Sequence, residues 1–291
     1  MRNRNCRLLS STVCLTLIFV VAARAQAQVK SVENLREPVV GGRATTYLDL
    51  LKKIFPDAAD REESIVAQRS IPMRHLFGKR YHEAEIFEGE MKFSGLDALW
   101  VSDEGKKRLL LFLTMDGNEV FDWNESGLLA LFAPEQEFKL LDVADVKTDR
   151  FSGFWETPLI PIGPHKDAAM IANYHHNSSQ GYMGVSLVSV ERDRLKVVFD
   201  FPTVLRLNDC ATKFDQYASV KPVENSGGAR RNIRVDIKVV GERDDKEDCQ
   251  TKLSGYTRHY RAVLFWDQAK REYRASTKEL DILQRFNEKH F

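Results

Sequence analysis

Three runs of sequence between residues 139 and 201 decide how this chain is read: KLLDVADVKTDRF (139–151), TPLIPIGPHKDAAMIANYHHNSSQGY (157–182) and MGVSLVSVERDRLKVVFDF (183–201). The first is an acidic strand and turn. The second opens with an apolar strand and ends in a histidine-rich polar loop. The third is a hairpin whose turn is Glu191-Arg192-Asp193-Arg194. The β signal peaks here, and so does the density of side chains able to do chemistry. The motif content of the region names no reaction.

Working outward, short strand-like runs are broken at regular intervals by turn residues. They cover residues 84–93, 96–101, 108–114 and 119–123 on the N-terminal side, with Asp103-Glu104-Gly105 and Asp116-Gly117 as hairpin turns. Residues 128–132 (LLALF) fit a strand or a helical turn equally well, because an unbroken apolar run has no period to read. Beyond the central stretch, residues 232–240 alternate cleanly, with Ile233, Val235, Ile237 and Val239 on one face. Residues 256–266 and 272–275 form a last hairpin.

Each end of this β region carries one amphipathic helix. Residues 46–55 place Tyr47, Leu48, Leu50, Leu51, Ile54 and Phe55 at helical spacing, with Thr46 and Asp49 as a cap and Pro56 as a stop. Residues 277–290 carry Leu280, Leu283 and Phe286 as a stripe behind a capping box of Ser276 and Glu279. The expected fold is therefore mainly β and antiparallel, either propeller-like or a large two-sheet domain. A single domain over 43–291 follows a polar, mobile lead-in over 28–42. The stretch from Asp145 to Asp149 lacks the middle acid and the glycines of the calcium loops of integrin-type propellers, and no second copy occurs.

The N-terminus reads as a signal peptide over 1–27. Arg2, Arg4 and Arg7 precede an apolar run from Val13 to Ala23, and Ala23-Arg-Ala25 and Ala25-Gln-Ala27 suit signal peptidase. Cleavage would leave a chain starting near Gln26 or Gln28, secreted or periplasmic, with no later run long enough to span a membrane. The segment holds four arginines and no acid, so the remainder carries 39 basic against 42 acidic residues. That balance offers nucleic acid no electrostatic footprint. Cys210 and Cys249 are the only cysteines outside the signal segment, and in an exported chain such a pair reads as a disulfide.

The familiar catalytic signatures are missing: no G-x-S-x-G, H-E-x-x-H, G-x-G-x-x-G or Walker loop occurs. Three sets of residues remain. Asp142, Asp145 and Asp149 offer oxygens to a hard cation, with calcium or zinc as the candidate metals, although alternation along a strand points Asp142 and Asp145 to opposite faces. Asn173, His175, His176 and Asn177 crowd one strand end, where a neutral imidazole serves as base or ligand. Trp155, in SGFWETP, offers a ring for stacking. The leading expectation is an exported, non-catalytic module that binds a small ligand or a protein through loops beside the central hairpin. The rival is a secreted hydrolase or lyase using His175 or His176 with Asp145 or Asp149, with or without a metal.

Overall fold

The computed structural model describes residues 28–290 apart from 42–43, 62–63, 79–90, 117–125, 136, 149–150, 177–179, 210–211, 225–227 and 244–254. The chain opens with β1 (Lys30–Ser31), α1 (Tyr47–Lys52), β2 (Ala59–Arg61), β3 (Ser64–Ala67) and β4 (Arg74–His75). Four longer strands follow: β5 (Met91–Asp103), β6 (Lys106–Asp116), β7 (Ser126–Ala133) and β8 (Lys139–Asp145). The next four are β9 (Phe151–Gly163), β10 (Lys166–His176), β11 (Gln180–Val190) and β12 (Leu195–Asp209). Last come β13 (Thr212–Pro222), β14 (Ile233–Arg243), β15 (Tyr256–Asp267), β16 (Glu272–Ala275) and α2 (Glu279–His290).

These strands make two large sheets. In the first, β5 to β8 pair in chain order, β3 and β1 flank β5, and β4 joins β8 in parallel. In the second, β9 to β16 run as one uninterrupted antiparallel meander. The fold is mainly β, as expected, and takes the two-sheet form. No closed barrel or propeller is found among the described residues.

Burial explains why the central runs lack alternation. In β10, Ala168, Met170 and Ala172 enter a core shared with β13–β16 and α2, whereas Ala169 and Ile171 enter the core between the two sheets. A strand covered on both faces has no reason to alternate. The same holds for β7, where Leu128, Ala130 and Phe132 face α1 while Leu129 and Leu131 face the second sheet. The ambiguity at 128–132 is therefore resolved as strand. The second sheet folds over so that the inner faces of β9–β12 and β13–β16 meet around α2.

Several local expectations are corrected. Within the lead-in, Lys30 and Ser31 pair with Ala98 and Asp97, and Val32, Leu35 and Val39 are buried. Helix α1 ends at Lys52, three residues short of the apolar run, while its Thr46–Asp49 capping box is fully formed. At α2, Ser276 does not cap. Its backbone N–H donates to the Val263 carbonyl and its hydroxyl accepts from the Val263 N–H, so it fastens the chain to β15. No helix among the described residues is long and apolar enough to cross a membrane.

Candidate functional site

Among the described residues the three sequence-derived sets are not brought together into one site. Asp142 and Asp145 sit on β8 and, as alternation requires, serve opposite faces. Asp142 accepts from the Arg74 guanidinium at 2.6 Å and from the Leu195 N–H at 2.8 Å, so it rivets the first sheet to β12 of the second. Asp145 accepts from the Lys147 N–H at 2.9 Å and lies 3.9 Å from His75 Nε2. That imidazole accepts from the Phe77 N–H at Nδ1 and meets the Lys147 carbonyl at Nε2, 2.8 Å away. Burial pushes the Asp145 carboxyl above its ordinary range, against the opposing pull of the Lys147 N–H. Among the described residues no group of three His, Cys, Asp or Glu side chains converges on a cation position. Asp149 lies outside the described residues.

Asn173 is buried and structural. Its carbonyl oxygen accepts from the Thr148 N–H at 2.9 Å and the Ser152 hydroxyl at 2.6 Å, pinning the connection between β8 and β9 to β10. Here the acidic stretch and the histidine strand meet directly, through Thr148 on Asn173 and through the pairing of Phe151 with Tyr174. Residues 140–143 do not pair with 168–174, because β10 pairs with β9 and β11. His175 stacks on Tyr182 with ring centroids 4.7 Å apart and planes within 5°. His176 is exposed, and Asn177 lies outside the described residues. The cysteines Cys210 and Cys249 are also outside them.

Trp155 is placed differently. Between Ala169 and Ile171, β9 shifts register against β10. Leu159 pairs with Ala169 and Phe154 with Ile171, so Trp155-Glu156-Thr157-Pro158 bulges out opposite Met170 alone. A bulge of this kind re-aims side chains. Here it borders an open groove of about 1160 Å³ between β9 and β5. Trp100 of β5, Trp155 and Pro158 supply its apolar surface; Asp97, Glu156 and Lys107 supply charge.

Two strand edges face this groove. Strand β1 covers β5 only at Asp97 and Ala98, and from Leu99 to Asp103 no strand among the described residues lies beside that edge. Near its end the Ser102 N–H is taken by the Asp167 carboxylate at 2.9 Å. Across the groove, β9 is the terminal strand of the second sheet, and Pro158 and Pro161 remove donors from it, as edge strands often require.

A second polar centre went unforeseen. Hairpin ends from both sheets meet at one pole, where buried Lys166 donates to Asp103 Oδ1 at 2.7 Å and to the Val190 carbonyl, with Glu191 Oε1 at 3.1 Å. Glu191 also receives Arg271 and, at 3.3 Å, Arg230; Arg108 reaches Asp193 at 2.6 Å. Arg230 continues to Glu104 at 2.9 Å and lies over the Trp266 ring at 5.1 Å. Burial lifts the Glu191 carboxyl, but Lys166, Arg271 and Arg230 together outweigh it and hold the group below its ordinary value. Because cations and carboxylates alternate throughout, the cluster neutralises itself and acts as a clamp between hairpin turns. Its members are scattered from position 103 to 271, and no local pattern announces them.

No family model matches this chain, and neither the curated proteins nor the solved structures yield a match.

Proposed function

We propose that this protein is an exported, non-catalytic binding module whose groove between β5 and the β9 bulge receives an extended peptide segment of a partner protein. The observation that carries this reading is the stretch of β5 from Leu99 to Val101 beside which no strand lies among the described residues, next to Trp100 and the bulge bearing Trp155. An open edge gives main-chain hydrogen bonds to an incoming strand, and flanking rings select alternate side chains. The groove has the size of a ligand site and is open along its length, which suits a chain better than an enclosed small molecule. The histidine-based hydrolase reading lacks comparable support, since Asp145 is engaged at the β8 terminus and His175 is stacked on Tyr182.

The test is selection of a random dodecapeptide display library against the mature protein, followed by binding of the enriched peptides to wild type and to Trp155→Ala. The expected result is peptides with alternating β-branched or aromatic residues whose affinity falls at least tenfold in the variant. Equal affinity for both proteins would overturn the reading.

A further inference from the structure

On the outer face of β13, β14 and β15, strand register gathers cations that lie far apart in sequence. Lys221 stands directly opposite Arg234, and Lys238 directly opposite His259. Paired residues share a face, and the other face of these strands is occupied by Val235, Ile237 and Tyr260 in the core. Within this outer face Asp236 is committed to His259 at 2.9 Å and Arg261 at 2.7 Å. Lys221, Arg234 and Lys238 are exposed and make no ion pair among the described residues. Like charges set directly across a sheet destabilise it. Lys221 against Arg234 therefore carries a cost that an anion lying between them removes. Two aromatic rings frame the patch: Tyr217, 60% exposed and opposite Lys238, and Phe265, 48% exposed beside β16.

We propose that this face binds a linear anionic polysaccharide. Its carboxylate or sulfate groups would lie against Lys221 with Arg234 and against Lys238, and a sugar ring would rest on Tyr217. Arg234 and Lys238 are four residues apart on β14, about 13 Å by strand rise, a spacing that suits charges repeated along a chain rather than one small anion. Nucleic acid fits less well, because its duplex presents a charge about every 1.7 Å and Asp215 and Asp236 interrupt the cations on this face. An anionic membrane fits less well too, because Tyr217 and Phe265 stand at opposite margins of the patch and form no common apolar side to insert. This inference is independent of the peptide groove, which lies at the junction of β5 and β9.

The experiment measures binding of the full mature chain to dextran sulfate, with neutral dextran of equal length as control. The variants are Lys221→Ala/Arg234→Ala/Lys238→Ala and, for an equal charge change on the first sheet, Lys92→Ala/Lys106→Ala/Lys139→Ala. Wild type should bind dextran sulfate and not dextran, more weakly as salt rises. The first triple variant should lose at least tenfold, Tyr217→Ala a few-fold, and the second triple variant less than twofold. Lys221→Gln alone, the smallest change at the like-charged pair, should already weaken binding measurably. Equal losses in the two triple variants would reduce the effect to net charge and overturn the proposal. Tighter binding to a single-stranded oligonucleotide or to anionic phospholipid vesicles would overturn it in favour of that partner.

Discussion

Asp145 and Glu191 are both partly or wholly buried carboxylates, yet their surroundings push them in opposite directions. At Asp145 burial outweighs the Lys147 N–H and the nearby charges of His75 and Lys147, so its charged form is disfavoured. Asp145→Asn keeps an acceptor for the Lys147 N–H while removing the charge. We expect a melting temperature equal to or above wild type at pH 7, and a clear loss on thermal denaturation would contradict this account of the site. Glu191 holds Lys166, Arg230 and Arg271 together, so Glu191→Ala leaves the buried Lys166 with Asp103 alone among buried carboxylates and should cost about 3–5 kcal/mol in urea denaturation. The pH dependence follows from the same geometry. The folded carboxyl lies below its ordinary 4.5, so its contribution is complete above that pH and is lost as pH falls through the folded value. Wild type should therefore lose stability on acidification more steeply than Glu191→Gln, as read from urea midpoints between pH 6 and 3. At this scale the hydrogen-bond partners of Asp142, Asp145 and Asn173 are not legible in the sequence. An acid or amide on a strand end reads alike whether it meets a ligand or a neighbouring backbone.

At the scale of single elements, local chemistry was the better guide. The Thr46–Asp49 box is formed as its spacing requires, with the Thr46 hydroxyl accepting from the Asp49 N–H at 3.2 Å and Asp49 Oδ2 accepting from the Thr46 N–H at 2.8 Å. Thr46→Ala should cost about 1 kcal/mol. For a domain of this size that lowers the calorimetric melting temperature by about 2–4 °C. The turns at Glu104-Gly105 and Arg192-Asp193 take positive φ at both central positions, as two-residue hairpins demand. Local reading failed at Ser276, because the competing partner, the Val263 backbone, belongs to another element. The β9 bulge was equally hidden. Nothing in ETPLIP states that four residues will stand opposite one, since that count depends on how β10 packs on both faces.

Across the whole molecule, register turns distant segments into neighbours, and this supports the proposed Cys210–Cys249 bridge. Asp209 pairs with Thr212, and Thr212 pairs with Arg243, so the described backbone flanking both cysteine-bearing segments ends at the same end of the neighbouring strands β12, β13 and β14. Free-thiol titration of denatured, unreduced protein should find no thiol. Reduction should then lower stability by about 4 kcal/mol on the chain-entropy estimate for a loop of this length. Two reactive thiols per chain would refute the bridge.

The sequence by itself determined that this chain is mainly β and antiparallel, with a helix near each end and with turns at Glu104-Gly105 and Arg192-Asp193. Those features are written in residues a few positions apart: alternation, a capping pair, a Glu-Gly step; the Asp116-Gly117 step and the run 119–123 lie outside the described residues at Gly117 and beyond. Only the tertiary structure decided between a propeller and two sheets. It alone converted DAAMIA into a strand buried on both faces, joined Lys166 to carboxylates drawn from two other hairpins, and opened a groove beside Trp155. A nearly neutral composition likewise concealed the cationic face at Lys221, Arg234 and Lys238. The reason is common to all of these. A side chain's neighbours in a sheet are set by the pairing of strands tens of residues apart, and that pairing is chosen by the burial of whole faces rather than by any local run of sequence.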